Sequence, residues 1–172
     1  LRLEPTSSHA INALANSYLY KSEFYEAELL YRQALELEPR NVDVLNNLGT
    51  ALAHQNNFSG AYDNYTSALH LDPNRAEILT NLGSIEHASG NFDDAIGYFQ
   101  KALKLAPDSA DARWNLGLTL LLNSNFTDGF ACYEARLDLP EFSKKLGKTA
   151  TWTGQSIKGK IIRVESEQGY GD

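Results

Sequence analysis

Residues 42–75, VDVLNNLGTALAHQNNFSGAYDNYTSALHLDPNR, align without a gap on residues 76–109, AEILTNLGSIEHASGNFDDAIGYFQKALKLAPDS. Leu48 pairs with Leu82, Gly49 with Gly83, Ala61 with Ala95, Tyr65 with Phe99, Ala68 with Ala102 and Pro73 with Pro107, each pair 34 residues apart. Residues so distant rhyme only where one supersecondary unit repeats, and a period of about 34 residues is that of a stacked helical hairpin. Such stacks work through an extended surface rather than one catalytic pocket.

The frame extends both ways, defining repeats 8–41, 42–75, 76–109 and 110–137. Residues 1–7, LRLEPTS, match the repeat ends LELEPRN, LHLDPNR and LKLAPDS, and read as the remnant of a preceding repeat. The pattern predicts first helices over 8–21, 42–55, 76–89 and 110–123, and second helices over 24–37, 58–71, 92–105 and 126–137. Between them lie KSE, QNN, SGN and NSN, short polar turns suited to antiparallel helices. Proline closes each second helix because the residue before it is pushed out of the helical region. Gly49, Gly83 and Gly117 recur mid-helix. A glycine there costs about 1 kcal/mol relative to alanine, so its recurrence implies close helix packing.

These residues resemble the tetratricopeptide repeat family: Leu at position seven, Gly or Ala at eight, Ala at twenty, an aromatic at twenty-four, Ala at twenty-seven and Pro at thirty-two. The resemblance covers residues 1–137 and implies an all-α, right-handed superhelical solenoid that binds proteins or peptides on its concave face. The fourth repeat departs from the pattern, with Gly129 and Arg136 for alanines and Pro140 one residue early, which marks the end of the array.

Helical geometry puts positions four, seven, eight and eleven of a first helix on one arc, and two, six, nine and thirteen on the opposite one. The first arc is apolar or small and packs the array. The second should line the groove. It carries Asp43, Glu77 and Asp111 at position two, Asn47, Asn81 and Asn115 at position six, and Asn16 and Thr50 at position nine, beside Asn12 and Asn46. Side-chain amides both donate and accept, which suits an extended peptide backbone. The same asparagines could equally brace neighbouring helices. The row resembles the array of O-linked N-acetylglucosamine transferase, which implies that Asn47, Asn81 and Asn115 grip a backbone while Asp43, Glu77 and Asp111 meet polar or basic side chains. Family members that clamp a C-terminal carboxylate use Lys and Arg at these places, and here none is present.

Net charge is −7, and it is split: residues 1–142 carry 9 Lys/Arg and 19 Asp/Glu, residues 143–172 carry 6 and 3. An acidic array argues against nucleic acid and points to neutral or basic ligands. No apolar run reaches the roughly 18 residues of a membrane span. The single cysteine, Cys132, fits a reducing compartment, so the expected setting is cytoplasmic. It sits in a helical pattern and reads as a packing residue. His54 and His87 read as polar lining, and neither a metal nor a cofactor is expected.

After residue 137 the period stops. Residues 138–172 read as a linker and one possible β-strand near 160–165 leading into EQGYGD. The passage from GFACYEARLDLP to EQGYGD resembles the start of a heptosyltransferase-like glycosyltransferase domain. That resemblance would make Asp172 a candidate base in an intact parent enzyme, with no catalytic site formed here. Alternatively, the array is a scaffold or oligomerisation module. Trp114, Leu118, Leu121 and Leu122 make the fourth first-helix apolar all round, so residues 138–168 are expected to cover it. At the other end Ile11, Leu14, Tyr18 and Leu19 are expected to form an exposed edge through which the chain self-associates.

Overall fold

The computed structural model describes residues 7–134. They form eight helices and no strand: α1 Ser8–Tyr20, α2 Phe24–Leu37, α3 Val42–His54, α4 Phe58–Leu71, α5 Ala76–Ala88, α6 Phe92–Leu105, α7 Ala110–Leu122 and α8 Phe126–Tyr133. The expectations for residues 1–6 and 135–172, including the end of the last helix at 137, the strand, the covering of the fourth repeat and Asp172, lie outside the described residues.

The helices start where the frame places them because the chain carries the right residues at the entry points. Asn41 and Ser109 cap α3 and α7, accepting from the backbone N–H of Val44 and Ala112. Asn57 and Asn125 do the same for α4 and α8. Each of these side chains satisfies one of the unpaired amides of a helix N-terminus.

One hairpin turn is used four times. Ser22, Asn56, Gly90 and Ser124 all adopt the left-handed conformation, with φ of 61°, 60°, 81° and 63°. The next amide then reaches back five residues: Glu23 to Tyr18 (3.0 Å), Asn57 to Leu52 (2.9 Å), Asn91 to Glu86 (2.9 Å) and Asn125 to Leu120 (2.8 Å). This closure satisfies the last carbonyls of each first helix.

In the second and third hairpins the aromatic at position twenty-four packs over the glycine at position eight. A methyl group on Gly49 would lie 2.6 Å from the Tyr65 ring, and one on Gly83 2.6 Å from the Phe99 ring. On Gly117 it would meet the backbone nitrogen of Tyr133 at 2.5 Å. Tyr31, Ala27, Ala34, Ala61, Ala68, Ala95, Phe99 and Ala102 have no exposed surface. The recurring small residues thus let the two helices of a unit close on one ring.

Successive first helices touch directly, α1 with α3, α3 with α5 and α5 with α7. Among the described residues, successive second helices make no such backbone approach. Across that gap the hydroxyls of Tyr62 on α4 and Tyr98 on α6 lie 3.3 Å apart. Closeness on one side and separation on the other makes the first helices the inner layer.

The N-terminal edge differs from expectation. At the N-terminal edge only Leu14 of the four expected residues is strongly exposed, because Ile11, Tyr18 and Leu19 pack on the core. Tyr20, Tyr25 and Leu29 are exposed instead. In the fourth repeat Leu118 and Leu121 are half-buried, while Leu122, Phe126 and Phe130 are exposed.

The left-handed turn positions generate a stability prediction. A side chain there costs about 1–2 kcal/mol. Ser22→Gly and Ser124→Gly should each raise unfolding free energy by about 0.5–1 kcal/mol, and Gly90→Ser should lower it by a similar amount. Urea unfolding followed by circular dichroism measures both.

Candidate functional site

The inner face is built from the first helices. Position two is exposed in every repeat, at His9, Asp43, Glu77 and Asp111. Position six is exposed at Ala13 and half-buried at Asn47, Asn81 and Asn115. Position nine is half-buried at Asn16, Thr50, Ser84 and Leu118. These side chains therefore share one reachable stripe running across α1, α3, α5 and α7.

Most of the amides in the stripe hold one repeat to the next. Asn46 donates from Nδ2 to Glu77 Oε1 at 3.1 Å, and its Oδ1 accepts from Asn81 Nδ2 at 2.9 Å. Glu77 and Asn81 stand one turn apart on α5, so they clamp one amide of α3 between them. A second set lies one repeat earlier. Asn16 Oδ1 accepts from the Tyr31 hydroxyl at 2.7 Å and from Asn47 Nδ2 at 3.1 Å. Bracing takes one donor from each of Asn47 and Asn81 and leaves their carbonyl oxygens unbonded among the described residues.

Asn46 does not line the groove. It is 3% exposed, because the α5 clamp covers it, and it is a brace rather than a contact residue. Asn12, its counterpart, is half-buried with Oδ1 shielded and unbonded among the described residues. Asn47 takes Asn16 as its acceptor instead. Asn115 and Asp111 make no side-chain hydrogen bond to a described residue, and both remain reachable.

The hydroxyls point their protons inward. Thr50 donates to the Asn46 carbonyl at 3.1 Å and Ser84 to the Thr80 carbonyl at 3.0 Å. The Tyr65 hydroxyl lies 3.0 Å from Thr50 Oγ1. Burial pushes the Tyr65 and Tyr31 phenols up to about 12, so both keep their protons at neutral pH. Asp43 is held by the Arg75 guanidinium of the same repeat, and that contact raises the Arg75 pKa.

The two histidines do not meet. His54 stacks on Phe24 with ring centroids 4.4 Å apart, whereas His87 Nδ1 lies 2.8 Å from Thr119 Oγ1 on α7. Among the described residues no group of three or more His, Cys, Asp or Glu is arranged to hold a metal ion. Cys132 is half-buried beside the Ala95–Phe99 cluster, and burial raises its thiol pKa, so it packs and is not activated. No helix among the described residues is long and apolar enough to cross a membrane.

The bracing role has a measurable consequence. Asn46→Ala strips Glu77 and Asn81 of their shared partner and should cost about 1–3 kcal/mol. Asn115→Ala should change stability by less than about 0.5 kcal/mol. Thermal and urea unfolding of the two variants should separate them.

His87 adds a pH dependence. Burial lowers its pKa below the ordinary value of 6.5. The stability this lowering reports is present above the unfolded pKa and is lost as pH falls through 6.5 toward the folded value. Unfolding free energy should fall on acidification over this window, and His87→Gln should flatten that part of the profile.

The comparisons agree with this geometry. The tetratricopeptide repeat family model matches residues 12–76, 55–110 and 80–139. No curated protein sequence matches the chain. Among solved structures, MamA superposes with a TM-score of 0.71 at 19% identity, covering 83% of this chain and 83% of that one. YrrB, a tetratricopeptide repeat protein described with an unusual peptide-binding site, gives 0.66 at 24% identity, with coverage of 78% and 70%. The first repeat domain of Spaghetti (RPAP3), solved with the HSP90 peptide SRMEEVD, gives 0.66 at 17% identity, with coverage of 72% and 98%. The repeat frame, the hairpin seam and the family match over most of its length place this chain in the tetratricopeptide repeat family.

Proposed function

We propose that the inner face binds an extended segment of another protein, neutral or basic in character. The observation that carries this reading is the reachable polar stripe of Asn47, Asn81 and Asn115, set in register by the repeat. The carbonyl oxygens of Asn47 and Asn81 face away from their bracing partners and are available to a peptide backbone. YrrB and the Spaghetti domain, which share the fold, are described with a peptide-binding site and a bound peptide, and both support a peptide partner.

Charge narrows the partner. Asp111 and Glu77 are exposed on the stripe, and residues 1–142 carry ten more acidic than basic side chains. Lysine and arginine are missing from positions two, six and nine of every repeat. An acidic segment would meet like charge there and a basic one opposite charge, so affinity for a basic segment should fall as salt rises.

A second reading rests on residues 129–172, whose resemblance to the opening of a glycosyltransferase domain supports an array that selects substrates for a catalytic domain in the intact protein. Sugar transfer to array-bound peptides by the intact protein tests it, and binding without transfer argues for an adaptor.

The main reading predicts that Asn47→Ala, Asn81→Ala and Asn115→Ala combined weaken binding of an extended peptide by about tenfold or more, at about 0.5–1.5 kcal/mol for each bond. Far-ultraviolet circular dichroism should show unchanged helicity. Equal affinity of wild type and triple variant in a fluorescence titration would remove the amide stripe from the site.

A further inference from the structure

The hydrogen-bond directions along the inner face are set by residues that can act in one sense only. An ionised carboxylate accepts and cannot donate. Glu77 therefore requires Asn46 to present its Nδ2, as it does at 3.1 Å. With Nδ2 so engaged, Asn46 turns Oδ1 toward α5, and Asn81 has to answer with its own Nδ2, at 2.9 Å. Asn81 is left with Oδ1 uncommitted on the groove side. One carboxylate thus orients two amides in sequence.

The preceding repeat reaches the same result with a different anchor. Tyr31 is fully buried and its phenol is protonated, so it donates to Asn16 Oδ1. The same oxygen then takes Nδ2 of Asn47, whose Oδ1 is uncommitted in turn. The hydroxyls add to the trend. Ser84 gives its one proton to the Thr80 carbonyl and keeps lone pairs for a ligand, while Thr50, donating to the Asn46 carbonyl, has the Tyr65 hydroxyl 3.0 Å from its oxygen. Exposed Asp111 accepts only. On α3 and α5 one N–H each of Asn47 and Asn81 is committed to the neighbouring repeat while their Oδ1 atoms are not, which together with Asp111 tilts this part of the stripe toward acceptors.

Resting on the reading of this face as a peptide-binding surface, we propose that Glu77 is a positioning residue that orients the Asn46–Asn81 pair acceptor-outward, and that the groove thereby selects segments rich in hydrogen-bond donors, with arginine or lysine side chains beside backbone N–H groups, over acidic ones. A guanidinium presents five donors and no acceptor, the complement of such a surface. The effect is distinct from bulk charge because it acts through which atom of Asn81 is presented. A neutral amide at position 77 fits the same space but can present either its oxygen or its nitrogen, so the Asn46 and Asn81 amides lose their enforced direction.

The test uses Glu77→Gln and, as a control for the loss of one charge away from the groove, Asp63→Asn on the exposed side of α4. Three labelled peptides alternate serine with arginine, serine with glutamine and serine with glutamate. Titrations run at low salt and at about 1 M salt, where the screening length is about 3 Å and long-range charge is suppressed. The expected result is that wild type prefers the arginine peptide over the glutamate peptide by at least about tenfold even at high salt. Glu77→Gln should cut that ratio about tenfold at both salts, with the glutamine peptide changing little, while Asp63→Asn should leave the high-salt ratio as in wild type.

A wild type that binds all three peptides equally at high salt overturns the inference and leaves the peptide-binding reading standing. So does a Glu77→Gln ratio that matches that of Asp63→Asn. Wild type that binds none of the three overturns both. Side-chain amide resonances give a readout independent of affinity: the Asn46 and Asn81 NH2 signals should shift in Glu77→Gln and stay unchanged in Asp63→Asn, and unmoved signals in Glu77→Gln also count against the inference.

Discussion

The structure depends on a ring closing over a residue with little or no side chain. Tyr65 lies on Gly49 and Phe99 on Gly83, so closely that one added methyl would fall well inside contact distance. That seam fixes the distance and angle between the two helices of a hairpin. Once the hairpin is set, its neighbours follow, because each unit presents the same apolar faces to the next. Alanines at positions twenty and twenty-seven, buried without exception among the first three repeats, permit the same closeness on the other side. Dispersion at such a seam is small per atom pair and large in sum.

The inner face is a by-product of this packing. First helices crowd together and second helices do not, so the side chains at positions five and six of the inner layer come within hydrogen-bond reach of the next repeat. Buried or half-buried amides there require partners. They find them across the repeat boundary, in Glu77, Asn81 and Asn16. Asn46 is engaged at both ends of its amide, whereas Asn47 and Asn81 each join two repeats through Nδ2 with Oδ1 unbonded among the described residues.

Structural polar residues and functional ones separate by burial and by bond direction. Asn46 is enclosed and Asn81 is not, although they are the same residue type on neighbouring helices. Asp43 is occupied by Arg75, while Asp111, its counterpart two repeats on, has no such partner among the described residues. The row is uniform in sequence and uneven in availability.

The sequence by itself determined the repeat, the helices and the seam. The 34-residue step, the prolines and the polar turns place the helix starts to the residue, and the first helices end one residue before the expected position. These features are local: caps, turns and periodicity act within a few residues, so they are legible without tertiary contacts. The stripe at positions two, six and nine was legible for the same reason, since helical periodicity alone separates the open arc from the packed one. What only the tertiary structure decided is what each polar residue does on that stripe. Asn46 became a brace because α5 of the next repeat brings Glu77 and Asn81 to either side of it. His54 and His87 went to separate partners, Phe24 and Thr119, because their helices face different neighbours. Hydrogen-bond direction is a property of pairs brought together from residues some 31 to 35 apart in the chain, and no single repeat contains it.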